Sequence, residues 1–250
     1  MLKLVSRYYQ KTVLLLNCGN IMDMSFIDKY RIAAVLQVWQ LGQESGNAVA
    51  DVLTGKVSPC GKLSDTIAKT YEDYPSSGSF GGVKFNNYEE DIFVGYRYAD
   101  LYGTRRPIKY VSQGEQYTIN PPKRKALFPF GFGLSYTSFK YSNLKVTPAA
   151  EGYLVEFDVT NTGAMDGAEV AQVYVGYNDK SVPHPVKELK GYDKAMIKKG
   201  ATHHFAITLP YKNLAYYDIF SHNWADASKD VTIYVGSSAE EIHFTQIVKH

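Results

Sequence analysis

An incomplete α/β sandwich followed by an all-β, fibronectin type III-like sandwich is the fold class this sequence predicts, on three observations. Ahead of Gly55, continuous apolar runs alternate with helix-like stretches, the pattern of a parallel sheet with crossover helices. Beyond Ser135, short segments of apolar–polar alternation recur between turn residues, the pattern of a two-sheet β-sandwich. Tyrosine outnumbers tryptophan 21 to 2, and an amphipathic ring suits a half-buried sheet face.

Composition sets the outer bounds. A chain of 250 residues that is 45% hydrophobic and 21% charged has the make-up of a packed globular protein, one large domain or two ordinary ones. Its 27 basic and 25 acidic residues are spread along the chain, so neither nucleic acid nor an anionic membrane is an expected partner. Apolar runs such as Val13 to Leu16 are far too short to cross a bilayer, and no signal-peptide pattern opens the sequence, so a soluble chain is expected. Cys18 and Cys60 are too few for a disulfide framework and have no Cys or His neighbour at metal-ligand spacing; they read as buried free thiols.

The elements follow in order. Lys3 to Gln10 reads as the end of a helix, and Val13 to Leu16, stopped by Asn-Cys-Gly-Asn, as a strand buried on both faces. The stretch MSFIDKY (24–30) reads as a short helix, RIAAVLQVWQ (31–40) as a second buried strand, and residues 42–59 as a helix opening near Gly42 to Ser45 and stopping at Gly55. Two or three strands are too few for a complete doubly wound domain. Lys62 to Lys125 reads as a long loop carrying a hairpin around Gly114. After Ser135, seven strands are expected: FKYSNLKV, YLVEFDVTNTG, EVAQVYVGY, KELKGYDKAMI, THHFAITL, LAYYD and VTIYVGSS. The expected domains are residues 1–98, a partial α/β sandwich; 99–135, a loop, hairpin and aromatic linker; and 136–250, the β-sandwich.

Four ordered stretches carry a resemblance: VWQLGQESGNAVADVLTGKVSPCGKLSDT (38–66), NNYEEDIFVGYRY (86–98), LFPFGFGLSYTSF (127–139) and VAQVYVGYNDKSVPHPVKELKGYDK (170–194). Together they resemble the C-terminal part of a glycoside hydrolase family 3 enzyme of the β-glucosidase-like group. Lys11 to Asp91 is similar to the later half of that family's α/β-sandwich domain, and Tyr136 to Val248 to its fibronectin type III-like domain. The stretch 127–139 is then the linker: Gly131 and Gly133 permit positive φ or close backbone approach, Pro129 stiffens the chain, and Phe128, Phe130 and Phe132 are placed to wedge between domains. Departures from the family pattern are Cys60 and Ser64 where it often has Ser and Pro, His184 where Arg is common, WADASKDV (224–231) in place of a Gly-bearing turn, and a longer stretch from Ala99 to Lys125.

The resemblance implies retaining hydrolysis by two carboxyls about 5–5.5 Å apart, an Asp nucleophile in an N-terminal (β/α)8-like domain, which in permuted members follows the sandwich, and a Glu acid in the α/β domain, placed ahead of Met1; both then lie outside Met1 to His250. No catalytic residue, metal ligand or cofactor is therefore expected between Met1 and His250. The implied partners are that N-terminal domain and, in the full enzyme, a β-glucoside or oligosaccharide substrate; a homo-oligomer stays open. Glu89, Glu90 and Asp91 form a tight acidic cluster that could raise one pKa for acid catalysis, but read as capping or ion pairing. Glu44, at a helix start, reads as satisfying backbone amides. Cys60 and the histidines have nothing local to orient them as nucleophile and base. His203 and His204, adjacent in a strand, point to opposite faces, against a shared metal. GKVSPCGK (55–62) lacks phosphate-loop spacing. The basic residues Arg105, Arg106, Lys109, Lys123, Arg124 and Lys125 read as a solvated loop, or as a hairpin that packs on the barrel or rims its active site. A non-catalytic carbohydrate-binding or interaction module is the alternative function.

Overall fold

The structure, a computed structural model, describes residues 1–82, 84, 86, 88, 90–104, 107–112, 115–178, 183–218, 221–225 and 230–249. Helix α1 (Leu2–Tyr8) leads to strand β1 (Val13–Leu16), which pairs in parallel with β2 (Ala34–Gln37), Leu15 opposite Leu36. Leu14 and Leu16 point into a cluster with Met24, Ile67, Val35 and Leu127. Val13 and Leu15, on the other face, are 47% and 40% exposed. The expectation of burial on both faces is thus corrected: a parallel strand is covered twice only where packed elements lie on both sides, and here the described residues cover one. MSFIDKY is also not a helix. The carboxylate of Asp23, just ahead of it, takes the Ser25 amide at 2.7 Å and successive turns follow, with Ile27 bonded to Met24 and Lys29 to Phe26; a carboxylate that captures a nearby amide competes with helical pairing.

Helix α2 (Ser45–Leu53) ends as expected near Gly55, whose φ of 76° closes a left-handed stop. The stretch expected as loop holds more. Two 3-10 turns, Tyr71–Asp73 and Pro75–Gly78, open with a reciprocal Thr70–Asp73 capping box, and helix α3 (Tyr96–Ala99) follows Gly95. The hairpin forms from β3 (Ile108–Ser112) and β4 (Glu115–Ile119); Gly114 at its tip lies outside the described residues. Phe93, Leu101 and Ile119 pack as a small core beneath it.

The sandwich comprises β5 (Phe139–Ala149), β6 (Gly152–Asn161), β7 (Gly167–Tyr177), β8 (Glu188–Ile197), β9 (Thr202–Pro210), β10 (Tyr216–Asp218), β11 (Asn223–Ala225), β12 (Asp230–Gly236) and β13 (Ile242–Lys249). One antiparallel sheet runs β5-β6-β9 and the other β13-β12-β7-β8. Period-two alternation sends Val155, Phe157 and Val159 of β6 and Phe205, Ile207 and Leu209 of β9 inward, against Val173 and Val175 of β7 and Val231, Ile233 and Val235 of β12. Fully burying each such side chain contributes about 1.5–3 kcal/mol. Two details differ from expectation. LAYYD is not a sandwich strand: among the described residues β10 pairs only with β11, as a separate ribbon. The seventh sandwich strand is β13, whose inward row Ile242, Phe244, Gln246, Val248 is broken by a glutamine that hides its period.

Asn161, fully buried at the end of β6, closes the sandwich edge. Its amide donates to the carbonyls of Met165 and Ile197, and its oxygen accepts from the Thr137 hydroxyl and the Gly163 amide. A buried amide so satisfied fixes one arrangement of the chain around it.

Candidate functional site

The linker from Ala126 to Ser135 is where the α/β part and the sandwich meet, and the chain there is bonded to both. On one side Phe128 bridges Ile67, the Gly131 amide donates to the Leu63 carbonyl at 2.7 Å, and the Leu63 amide returns to Phe132 at 2.8 Å. On the other, the Ala239 amide reaches the Phe130 carbonyl at 2.9 Å, and Gln172 of β7 donates from Nε2 to the carbonyls of Ser237 at 2.7 Å and Gly131 at 3.3 Å. The Tyr174 hydroxyl donates to the Gln172 Oε1, so that buried amide is held at both ends.

Both linker glycines are required. Gly131 has φ 77°, and a Cβ there would lie 2.2 Å from Gln172 Oε1; at Gly133 a Cβ would lie 2.1 Å from the Gly61 carbonyl oxygen. The three phenylalanines divide between the two sides. Phe128 packs into the Ile67 cluster and lies 5.2 Å from Phe132, while Phe130 stacks at 4.7 Å on Tyr96, which meets Tyr174 of the sandwich edge-on at 6.0 Å. All three are half-buried.

Charges reinforce the junction. Lys62 pairs with buried Glu169 at 3.5 Å, and Glu169 also accepts from the Tyr141 hydroxyl at 2.9 Å. Burial raises the Glu169 carboxyl above the usual carboxylate range, against the pull of Lys62 and Tyr141, and raises the Tyr141 phenol well above its ordinary value. His243, stacked at 4.0 Å on Tyr141, is pushed down by burial. Lys187 and Asp100 form a second buried pair at 2.7 Å; burial raises Asp100 although Lys187 lowers it. Arg97 reaches Glu188 at 2.8 Å, the Leu189 amide donates to the Tyr96 hydroxyl, and Ser58 bonds Ser135 and the Tyr136 amide. Chemically this arrangement orients and clamps.

The residues singled out in the sequence lie elsewhere. Glu89, Arg105 and Arg106 are outside the described residues. Glu90 is half-buried, with Oε2 hydrogen-bonded to none of the described residues, and Asp91 is exposed at φ 48°. Glu44 does not cap backbone amides as expected; its carboxylate takes the Asn47 side-chain amide instead, because no amide of α2's first turn bonds it. Cys18 and Cys60 are free and only partly buried, not buried as expected. His204 bonds Asp158 at 2.8 Å on the outer face of β9, whereas His203 turns the other way against Phe205. His184 packs between Tyr177 and Tyr216. Arg124 pairs with Asp73 and Lys125 with Glu240, and Ser58 of GKVSPCGK serves the linker. Among the described residues no three His, Cys, Asp or Glu form a metal-binding group, and no helix is long and apolar enough to cross a membrane. Sequence reasoning missed Glu169, Gln172 and Lys187. The signal was present for two: Glu169 and Gln172 interrupt an apolar strand, EVAQVYV, buried along nearly its whole length.

Comparison with known proteins bears on the same two regions. Residues 1–96 match the glycosyl hydrolase family 3 C-terminal domain and residues 169–239 the fibronectin type III-like domain. Beta-glucosidase B of Emericella nidulans is 39% identical over 238 residues, which are 90% of this chain and 26% of that protein. A beta-glucosidase of Ruminococcus albus is 36% identical over 242 residues, 94% of this chain and 23% of its own length. The crystal structure of DesR, a beta-glucosidase from Streptomyces venezuelae in complex with D-glucose, superposes with a TM-score of 0.85 at 29% identity, covering 98% of this chain and 29% of that one. The chain thus spans about a quarter of the length of the relatives it matches. Matched in both its parts, with the linker bonded to each, the chain belongs to glycoside hydrolase family 3 and corresponds to that family's C-terminal region.

Proposed function

We propose that this chain works as the C-terminal portion of a retaining β-glucosidase, bracing a catalytic barrel and helping to complete the substrate cleft. The observation that carries the reading is its correspondence, at 36–39% identity, to about a quarter of the length of proteins named beta-glucosidases, together with the match of residues 1–96 to the family's C-terminal domain. The junction supports it. Buried pairs and a strapped linker fix the sandwich against the α/β part, and a cleft shared between domains needs walls that hold position. The outward apolar face of β1, at Val13 and Leu15, is the surface on which further chain of the same enzyme would pack.

Neither catalytic carboxylate lies within Met1 to His250 on this reading, so the chain alone hydrolyses no aryl β-glucoside. The test is glucose release by the purified chain with and without the upstream part of the enzyme supplied in trans. Turnover is expected only with both. Turnover by the chain alone, abolished in Glu89→Gln or Glu90→Gln, would move the acidic cluster into catalysis and overturn the assignment.

A further inference from the structure

The β10–β11 ribbon presents two aromatic rings to solvent. Tyr217 and Trp224 are register partners across it, 5.8 Å apart with planes at 80°, and they are 49% and 66% exposed. Side chains of this size are normally turned inward, and the ribbon has an inward side: Tyr216 meets the ring of His184, which lies 4.5 Å from Tyr177 at the end of β7. The ribbon is therefore fastened to the sandwich through one tyrosine while its neighbour faces out. Next to it the Ser221 amide and hydroxyl both donate to Asp218, and His222 adopts φ 51°.

Rings at right angles make a corner, one offering its face and the other its edge and hydroxyl. A flat apolar partner leaves such a corner unfilled. A pyranose ring fits it, because its C–H groups carry partial positive charge complementary to the negative face of an indole. Its rim hydroxyls then lie beside the Tyr217 hydroxyl, which supplies a donor and an acceptor at the corner itself. We propose that Tyr217 and Trp224 form an accessory site for glucan chains, holding a pyranose unit of a polymeric substrate away from the reacting centre. The choice of glucan as occupant rests on the glucosidase reading; the corner geometry does not.

Electrophoresis of the whole chain through gels containing soluble β-glucan tests the site, with anionic lipid vesicles and protein concentration as separate arms. Wild-type protein is expected to be retarded by the glucan. Tyr217→Ala and Trp224→Ala should weaken that retardation at least fivefold, Trp224→Phe should keep part of it, and thermal melts of these surface variants should match wild type. Absence of retardation in the wild type, or equal retardation in all variants, overturns the proposal. So does self-association or vesicle binding that is lost with the same substitutions while glucan has no effect. Failure here leaves glucose release with the upstream part unaffected, whereas failure of the glucosidase reading abolishes that release and leaves retardation in place.

Discussion

Gln172 and Gly131 meet so closely that the glutamine amide occupies the space a side chain at 131 would need, with Oε1 2.2 Å from an added Cβ. The same amide donates to the Gly131 carbonyl. Gly131→Ala is therefore expected to cost about 2–5 kcal/mol, combining about 1–2 for a left-handed backbone with about 1–3 for displacing a packed side chain. Gly55→Ala is the control, because Gly55 shares the positive φ but has nothing within 4 Å; it should lose only the backbone share in urea unfolding. Equal losses would mean that Gln172 yields freely.

Lys187→Met should destabilise by about 3–5 kcal/mol, because it strands the buried Asp100 carboxylate. The double variant Lys187→Met, Asp100→Leu should recover most of that loss. Equal instability of the single and double variants would show that the stranded Asp100 carboxylate is not the source of the loss.

Phe130→Ala should cost about 1–3 kcal/mol, less than the 3–5 of a fully buried ring, since Phe130 is half-buried and stacked on Tyr96. A loss within error of zero would make the linker ring a passenger.

Two histidines should be shifted in opposite directions. The hydrogen bond to Asp158 raises His204 above its ordinary 6.5, and burial lowers His243 below it. For His204 the folded pKa exceeds the unfolded one, so its stabilisation is full below about 6.5 and disappears as pH rises through the raised value. For His243 the sign reverses: its contribution is full above about 6.5 and is lost as pH falls through the depressed value. Proton-detected titration of the ring resonances should find His204 above His243, and Asp158→Asn should bring His204 down without moving His243.

Val13 and Leu15 should bind a hydrophobic dye in the isolated chain. Val13→Lys with Leu15→Glu should reduce the dye signal while leaving the melting temperature nearly unchanged. Unaltered dye binding would place the exposed apolar surface elsewhere.

Much of the fold was legible because periodicity records burial. The parallel pair β1 and β2 announced itself through unbroken apolar runs, and β6 and β9 through strict alternation. Local chemistry concealed the rest. Gln246 sits on the inward row of β13 and masks its period, while the tyrosines of β10 imitate a core strand although only Tyr216 turns inward. The linker's aromatic and glycine pattern could be read locally, but its partners could not: Gln172 reaches Gly131 across 41 residues and Lys187 reaches Asp100 across 87. Hydrogen bonds of that span leave no mark on neighbouring residues beyond a polar side chain where an apolar one would serve.

The linker's bonding has a mechanical consequence. The amide of Gly131 is held by Leu63 and its carbonyl by Gln172, while the carbonyl of Phe130 holds Ala239. Freeing the Gly131 amide for exchange with solvent thus requires a bond to the α/β part to break beside bonds to the sandwich. The slowest-exchanging amides should then lie both in β7 and at Gly131, with one shared opening free energy. The two halves should then act as a single foldon, and the chain should unfold in one transition.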